Sequence, residues 1–179
     1  MVVREPEQHF IQAPTGVHAA VCVDEVDMGL VQNHFDPAAE PVPTVRLVWQ
    51  IAEDMPDGKP YLIKRDYRAS LHEKAGLRKD LEAWRGRAFT FDELVGFDLE
   101  NIVGAPCQLN IVAKTSKKGK VFSNIAAIMP LAKGMMKLEP RAYIRVKDRP
   151  IAPEPTAQPL LNNPPPVSFE GISDDDVPF

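Results

Sequence analysis

The chain of 179 residues is 44% hydrophobic and 26% charged, which is enough apolar material for one ordinary core and predicts a single domain with tails. Its net charge of −4 argues, as a bulk number, against a protein that holds polyanions by charge. Two cysteines are too few for a disulfide framework or a tetrahedral zinc site, the longest apolar run is far short of the roughly 20 residues of a membrane span, and no basic-then-apolar leader opens the chain. We therefore expect a soluble protein in a reducing, cytoplasmic setting, without a membrane partner.

Alternating apolar residues predict three strands in the first part of the chain. Residues 17–27 are largely β-branched or small and indicate a first strand. In residues 44–52 apolar and polar positions alternate, which predicts a half-buried second strand with Trp49 on its core side. Turn formers at residues 56–60 lead into the extended residues 61–68, so strands two and three should form an antiparallel hairpin.

Capping signatures predict two helices after the third strand. Ser70, with Glu73 three residues later, matches a capping box ahead of apolar positions at helical spacing, and Gly86 is expected to end that helix. The signature recurs at residues 90–93, which predicts a short helical turn over residues 91–95. Only the first of these segments is long enough to be a main helix.

Strand patterns return in the second half of the body. Residues 107–113 alternate, and a basic turn at residues 117–120 leads into residues 121–129, which predicts a second hairpin. Residues 142–146 alternate again and predict a sixth, edge strand. The order of elements matches an OB-fold: a mainly β, five-stranded antiparallel barrel with one main helix between strands three and four. A five-stranded α+β sheet of another topology is the alternative.

The charge is distributed unevenly along the chain. Residues 1–58 carry 2 basic and 10 acidic side chains (−8), residues 59–149 carry 19 and 10 (+9), and residues 150–179 carry none and 5 (−5). The last segment also holds 8 of the 18 prolines and few large apolar residues, so burial cannot offset its ordering entropy. We predict a flexible N-terminal segment at residues 1–13, with Phe10 and Ile11 as candidates to dock on the body, a folded domain at residues 14–149, and a disordered Pro-rich acidic tail at residues 150–179.

The sequence contains no convergent set of catalytic residues. Acidic groups at residues 24–27 and 92–100 lack the spacing of a calcium loop, and the four histidines are scattered. We interpret these acids as solvated residues at strand ends and helix caps. No enzyme activity, metal or cofactor is therefore expected. A metal-dependent nuclease is the alternative that they leave open.

Basic and aromatic residues interleave on the predicted strands. If strand four buries Leu109 and Ile111, Phe122 lies beside Lys114 and Lys120 on the opposite, polar face. A base stacked on an exposed aromatic ring contributes about 1–3 kcal/mol to binding, and lysines beside the ring contact the phosphates, so this pattern favours single-strand binding. A core position is the alternative for the Phe122 ring. The candidate DNA-binding residues at positions 64–68 fall on both faces of strand three. Strand twist or a β-bulge would be needed to bring them into one groove. The predicted DNA-binding residues are Lys64, Arg65, Tyr67, Arg68, Lys114, Lys117, Lys118, Lys120, Phe122, Tyr143 and Arg145.

The chain ends in three acids, an apolar residue, a proline and a phenylalanine: Asp174, Asp175, Asp176, Val177, Pro178 and Phe179. This ending closely resembles the acidic tip of bacterial single-stranded DNA-binding proteins, Asp-Asp-Asp-Ile-Pro-Phe, with Val177 in place of the isoleucine. In that family the tip recruits replication, recombination and repair enzymes. The resemblance implies that Phe179 is the anchor and that the three acids meet basic residues on the partner. A generic solubilising extension is the alternative.

The body resembles bacteriophage-encoded single-stranded DNA-binding proteins with an OB-fold more than the usual bacterial protein. The likeness runs over most of residues 14–134 and is carried by residues 78–86, 89–93 (Phe-Thr-Phe-Asp-Glu), 97–99 (Phe-Asp-Leu) and 104–107 (Gly-Ala-Pro-Cys). It implies a protein of a bacterial host cell that coats exposed single strands during replication, recombination or repair, without strong sequence preference, and recruits host or phage enzymes through its tip. An adaptor or decoy that holds such enzymes without binding DNA is the alternative, and self-association stays open.

Overall fold

A computed structural model describes residues 12–33, 38–117 and 119–149. The strands are β1 (Gly16–Val31), β2 (Val42–Asp54), β3 (Pro60–Arg68), β4 (Pro106–Thr115) and β5 (Val121–Met129); the helices are α1 (Gly76–Arg85) and α2 (Phe91–Val95), with 3-10 turns at Leu99–Ile102 and Val146–Asp148. The predicted tail at residues 150–179 and most of the predicted flexible segment at residues 1–13 lie outside the described ranges. No helix in these ranges is long and apolar enough to cross a membrane.

The five strands form one antiparallel sheet in the order β3-β2-β1-β4-β5. Alternation in the sequence favours such a sheet, because a strand with this pattern has one apolar face to bury. The mainly β fold and both predicted hairpins are confirmed. The sheet is not closed by a ladder between its edges, although the Arg65 guanidinium on β3 donates to the carbonyl of Ile125 on β5 at 3.3 Å. The main helix α1 follows β3 as predicted and packs against both edge strands.

The inner face of the sheet and α1 enclose the main core. Trp49 is fully buried on β2 and its ring lies 6.1 Å from that of Trp84 on α1, whose indole N–H donates to the Pro106 carbonyl at 3.0 Å. The same core contains three fully buried leucine side chains, Leu47 on β2, Leu109 on β4 and Leu81 on α1. The predicted core position of Trp49 is confirmed, and α1 is held across the sheet by this packing.

The predicted start of the main helix is wrong. Helix α1 begins at Gly76 with Ala75 as an N-cap that offers no side-chain acceptor, whereas the Ser70 hydroxyl accepts from the His72 N–H at 3.2 Å in a local turn. A serine can satisfy a nearby amide without starting a helix, so the four-residue signature alone does not fix the boundary. The helix ends at Gly86 as predicted, in the left-handed region at φ 66°.

The second capping signature does form a capping box. The Thr90 hydroxyl accepts from the Glu93 N–H at 3.3 Å, and the Glu93 carboxylate accepts from the Thr90 N–H at 2.9 Å. These two bonds satisfy amide groups that the first turn of α2 would otherwise leave without partners. The predicted short helix is therefore confirmed.

The predicted sixth strand is wrong. Residues 138–149, which we call the strap, form an irregular segment and a 3-10 turn that cross the outer face of β1 and β2. Leu138 and Tyr143 of the strap pack on a small cluster of buried valines, formed by Val21, Val23 and Val48. The strap thus covers an apolar patch on the side of the sheet that faces away from the main core.

Two buried polar residues on the sheet hold the strap. Gln50 is fully buried, and its side chain accepts from the Arg141 N–H at 2.8 Å and donates to the Glu139 carbonyl at 3.4 Å. The Asp24 carboxylate, 1% exposed, accepts from the Tyr143 hydroxyl at 2.9 Å, from the Arg145 guanidinium at 3.1 Å and from the Val146 N–H at 2.8 Å. A buried carboxylate needs such donors, so the strap and Asp24 require each other.

A register shift in β1 brings Asp24 to the outer face. Cys22 pairs with Trp49 and Asp24 pairs with Val48, so that β1 uses two residues where β2 uses one. The extra residue, Val23, reverses the inside-outside alternation after it, and Asp24 leaves the face that Cys22 occupies. Without this shift the carboxylate would point into the main core.

Asp24→Asn is expected to destabilise the fold by about 2–4 kcal/mol, because the new amide N–H group would face donors on the strap. The matched control is Asp27→Asn on the same strand, where the exposed side chain accepts from the Gly29 N–H at 2.8 Å and asparagine keeps that acceptor. Urea unfolding followed by tryptophan fluorescence measures both variants. Equal midpoints for the two would contradict the assigned role of Asp24.

Candidate functional site

A groove of about 330 Å³ lies between the edge strands β3 and β5. We call it the β3–β5 groove; its lining residues are Leu62, Ile63 and Lys64 from β3, Val121, Phe122 and Ser123 from β5, and Gln12, Ala13 and Lys120. Three large apolar side chains are open to solvent here, with Leu62 48%, Val121 41% and Phe122 43% exposed. The groove therefore offers an apolar surface beside lysine ammonium groups.

Strand register places Phe122 on the outer face of the sheet. Ile125 pairs with the buried Ile111, and three pairs further along β4 and β5 Phe122 pairs with Lys114. An odd number of steps reverses the face, so the ring points away from the core. The predicted position of Phe122 beside Lys114 is confirmed, and the alternative of a core position is wrong.

Lysines stand on both sides of the groove. Within the described ranges, Lys64 and Lys114 form no ion pair, and both are exposed on the outer face of the sheet. Lys117 is exposed in the turn between β4 and β5, next to Lys120 of the groove lining, whereas Lys118 lies outside the described residues. Arg68 is exposed at the end of β3 and does not line the groove. The groove is therefore flanked by cations on both walls.

Two of the predicted site residues belong to the core side of β3. Arg65 pairs with Leu47 and Tyr67 with Val45, so both point toward α1 rather than into the groove. Tyr67 is 5% exposed, and its hydroxyl donates to the Asp80 carboxylate at 2.7 Å. Burial raises its pKa above the ordinary range. Tyr67 thus has little exposed ring surface on which a base could stack. Its assignment as a DNA contact stays a prediction that this burial does not support.

Arg65 acts as a bridge rather than as an open cation. Its guanidinium lies 3.1 Å from the Asp80 carboxylate of α1 and also donates to the Ile125 carbonyl. It therefore ties α1 and β5 to β3 at the seam between the two sheet edges. An arginine is suited to this place because its planar head presents several donors at once.

Tyr143 and Arg145 are likewise strap residues and not groove residues. Arg145 is 17% exposed and its guanidinium is shared between Asp24 and the carboxylate of Glu100, which also accepts from Lys147 at 3.0 Å. Burial and the hydrogen bond to Asp24 raise the pKa of the Tyr143 phenol to about 12. They do not line the β3–β5 groove, because the predicted edge strand does not form within the described residues. Their assignment as DNA contacts stays a prediction.

The acidic residues have structural roles. Glu93 completes the capping box and pairs with Arg85 and Arg87, and Asp98 accepts from the Glu100 N–H at 2.9 Å at a 3-10 turn, as the interpretation of helix-cap acids predicts. Asp24 differs from that prediction, since it is buried under the strap. Among residues 12–33, 38–117 and 119–149 no group of three or more His, Cys, Asp or Glu side chains is placed to hold a metal ion.

The sequence prediction missed Leu62 and Gln12 as parts of the groove. Leu62 shares its strand face with Lys64, so alternation on β3 was the signal that could have placed it on the outer surface. Gln12 has no such signal, because its position follows from a hydrogen bond between its side-chain amide and the Val121 carbonyl.

No family model and no curated protein matches the chain, so the groove is interpreted from its own residues.

The strap electrostatics predict a pH dependence of stability. Hydrogen bonds from Arg145 and Lys147 lower the pKa of Glu100 from 4.5 to about 2. A depressed carboxyl pKa stabilises the fold above the unfolded value, and that contribution is lost as the pH falls from about 4.5 through about 2. The difference in urea midpoint between the wild type and Glu100→Gln should therefore shrink over this window. Because both proteins carry the same remaining carboxylates, a difference that stays constant would contradict the assignment.

Proposed function

We propose that this protein binds single-stranded DNA along the β3–β5 groove and coats exposed strands during replication, recombination or repair. The observation that carries the proposal is Phe122, an aromatic ring 43% exposed on the outer face, with Lys114 directly across the strand pair and Lys64 on the other wall. A base stacked on an aromatic ring is worth about 1–3 kcal/mol, and cations beside it follow the backbone. This pairing of ring and lysine suits a polyanion with flat apolar bases.

The lining of the groove supports binding without strong sequence preference. Leu62 supplies a second apolar contact opposite Phe122, and such contacts are indifferent to the base. The polar lining side chains are already engaged, since the Gln12 amide donates to Val121 and the Ser123 hydroxyl donates to the Ala13 carbonyl at 2.8 Å. Few groups are then left to read base edges by hydrogen bonding.

We further propose that the sheet is an OB-type barrel whose seam is widened into this groove. Strand β1 pairs with both β2 and β4, while the edges β3 and β5 approach each other and are bridged by Arg65. OB-folds bind oligonucleotides on the face of strands two and three and on the loops after strands one and four. The β3 wall and the turn that carries Lys117 and Lys120 fit that surface.

The proposed role includes recruitment of host or phage enzymes through the acidic tip at residues 174–179. This part rests on the resemblance of the ending to the tip of bacterial single-stranded DNA-binding proteins, and the tip lies outside the described residues. The alternative, an adaptor that uses the tip without binding DNA, has no need of an exposed ring between lysines. The two proposals differ in what they require of the groove, so groove variants distinguish them.

Phe122→Ala should weaken binding of a fluorescent oligothymidine by about 5-fold to 150-fold, which corresponds to the loss of one stacked base. Phe91→Ala is the matched control, because that ring is 82% exposed on α2 and does not line the groove. Fluorescence anisotropy at low salt measures both affinities. Binding that is unaffected by Phe122→Ala, or equally weakened by both changes, would rule out stacking in the groove.

Lys64→Glu combined with Lys114→Glu should weaken oligothymidine binding and reduce the slope of log affinity against log salt by about 1.4, since each phosphate contact contributes about 0.7. Lys74→Glu with Lys79→Glu changes the net charge equally at exposed positions outside the groove. The control pair should keep the wild-type slope. Equal slopes for the two double variants would contradict local phosphate contacts, and absence of binding by the wild type would favour the adaptor.

A further inference from the structure

The outer face of β4 continues from the β3–β5 groove toward the other end of that strand. Cys107 and Leu109 are fully buried, so the β4 side chains that alternate with them point outward, namely Gln108, Asn110, Val112 and Lys114. Lys114 pairs with Phe122 beside the groove, and Gln108 pairs with Met129, the last residue of β5. The steps from residue 114 to residue 108 span about 20 Å at the rise of a β-strand.

A neutral surface lies between these two pairs. We call it the outer strip; its residues are Val17, Asn110, Val112 and Asn124. Val17 of β1 pairs with Asn110 and is 57% exposed, and Asn124 of β5 pairs with Val112. The other three side chains are half-buried by their neighbours in the sheet, and none of the four residues is acidic. A polyanion laid along the outer strip thus meets no negative charge from its residues.

A loop crosses the outer face of β4 at the far end of the strip. We call residues 130–137, which follow β5, the basic loop. The Gln108 side-chain amide on β4 donates to the Met135 sulfur of the loop at 3.1 Å. Leu138, the first residue of the strap, packs on the valine cluster of β1 and β2. The chain therefore passes from β5 over β4 to β1, and the basic loop borders the outer strip on this side.

The basic loop presents cations and an apolar side chain to solvent. Lys133 and Lys137 are exposed, and neither forms an ion pair within residues 12–33, 38–117 and 119–149. Met136, next to Lys137, is 90% exposed. Lys114 and the Phe122 ring stand at the opposite end of the strip. Both ends thus pair lysine with an exposed apolar side chain, the combination that suits phosphates and bases.

We propose that single-stranded DNA leaves the β3–β5 groove past Phe122, runs over the outer strip and reaches the basic loop, where Lys133 and Lys137 contact its phosphates. The inference rests on the proposed function and assigns a second set of contacts to the same DNA strand. The strap borders this path on the β1 side, since it covers the buried valines of β1 and β2. The path adds about 20 Å to the length of DNA that the groove alone would contact.

Lys133→Glu combined with Lys137→Glu tests the phosphate contacts of the basic loop. For an oligothymidine of about 16 nucleotides, the upper end of the site sizes of OB-folds, the slope of log affinity against log salt should fall by about 1.4. The matched control is Lys74→Glu with Lys79→Glu, which makes the same charge change at exposed positions away from the strip and should keep the wild-type slope. A wild-type slope for the loop variant overturns the inference.

Thiol labelling tests whether DNA covers the outer strip. Both native cysteines are fully buried, so a cysteine placed on the surface is the reactive one. Val17→Cys in the full chain should label several-fold more slowly when the same oligothymidine is bound at saturation. The control is Val95→Cys on α2, where the side chain is 80% exposed and the rate should not respond to DNA.

The outcomes separate this inference from the proposed function. An unchanged rate at Val17→Cys, in a sample whose fluorescence anisotropy shows bound oligothymidine, overturns the inference alone if binding still falls with Phe122→Ala. Equal slowing at position 95 also overturns it, because the oligonucleotide would then cover the surface without a path. Slowing at position 17 alone, in a protein whose binding does not respond to Phe122→Ala, would support the outer strip and refute stacking in the groove. A wild type that binds no oligothymidine refutes both.

Discussion

A single buried carboxylate determines how the outer face of this sheet is divided. The extra residue in β1 turns Asp24 outward, and a carboxylate that is 1% exposed must be supplied with donors. Tyr143, Arg145 and Val146 supply them, which fixes the strap over β1 and β2. The seam between β3 and β5 stays open, and there the apolar and basic side chains of the groove are found.

The basic character of the body is smaller than its sequence indicates. Residues 59–149 carry a net charge of +9, but many of the cations in this segment are engaged in ion pairs, namely Lys59, Arg65, Arg78, Arg85, Arg87, Arg141, Arg145 and Lys147. Paired cations position elements of the fold and have little attraction left for phosphates. Lys64 and Lys114, which form no ion pair in the described part of the chain, flank Phe122, so the proposed binding of a polyanion rests on the position of these lysines rather than on total charge.

Local patterns predicted the strands, the end of α1 and the outward side of Phe122, because alternation and glycine conformation act over a few residues. They failed where a residue depends on a distant partner. Residues 142–146 alternate like a strand, yet their partners are the buried Asp24 and Gln50 on other strands. Alternation along β3 places Tyr67 and Lys64 on opposite faces of the strand, but only the pairing with β2 shows which of these faces points into the core. A register shift such as that at Val23 has no period-2 signal.

The most direct test of the account is a crystal structure of the full chain with a short thymidine oligonucleotide. The account predicts a base stacked on the Phe122 ring, phosphates near Lys64 and Lys114, and the strap still in place over β1 and β2 with Asp24 bonded to it. An oligonucleotide bound on the strap side, in contact with Tyr143 and Arg145 while the β3–β5 groove stays empty, would contradict it.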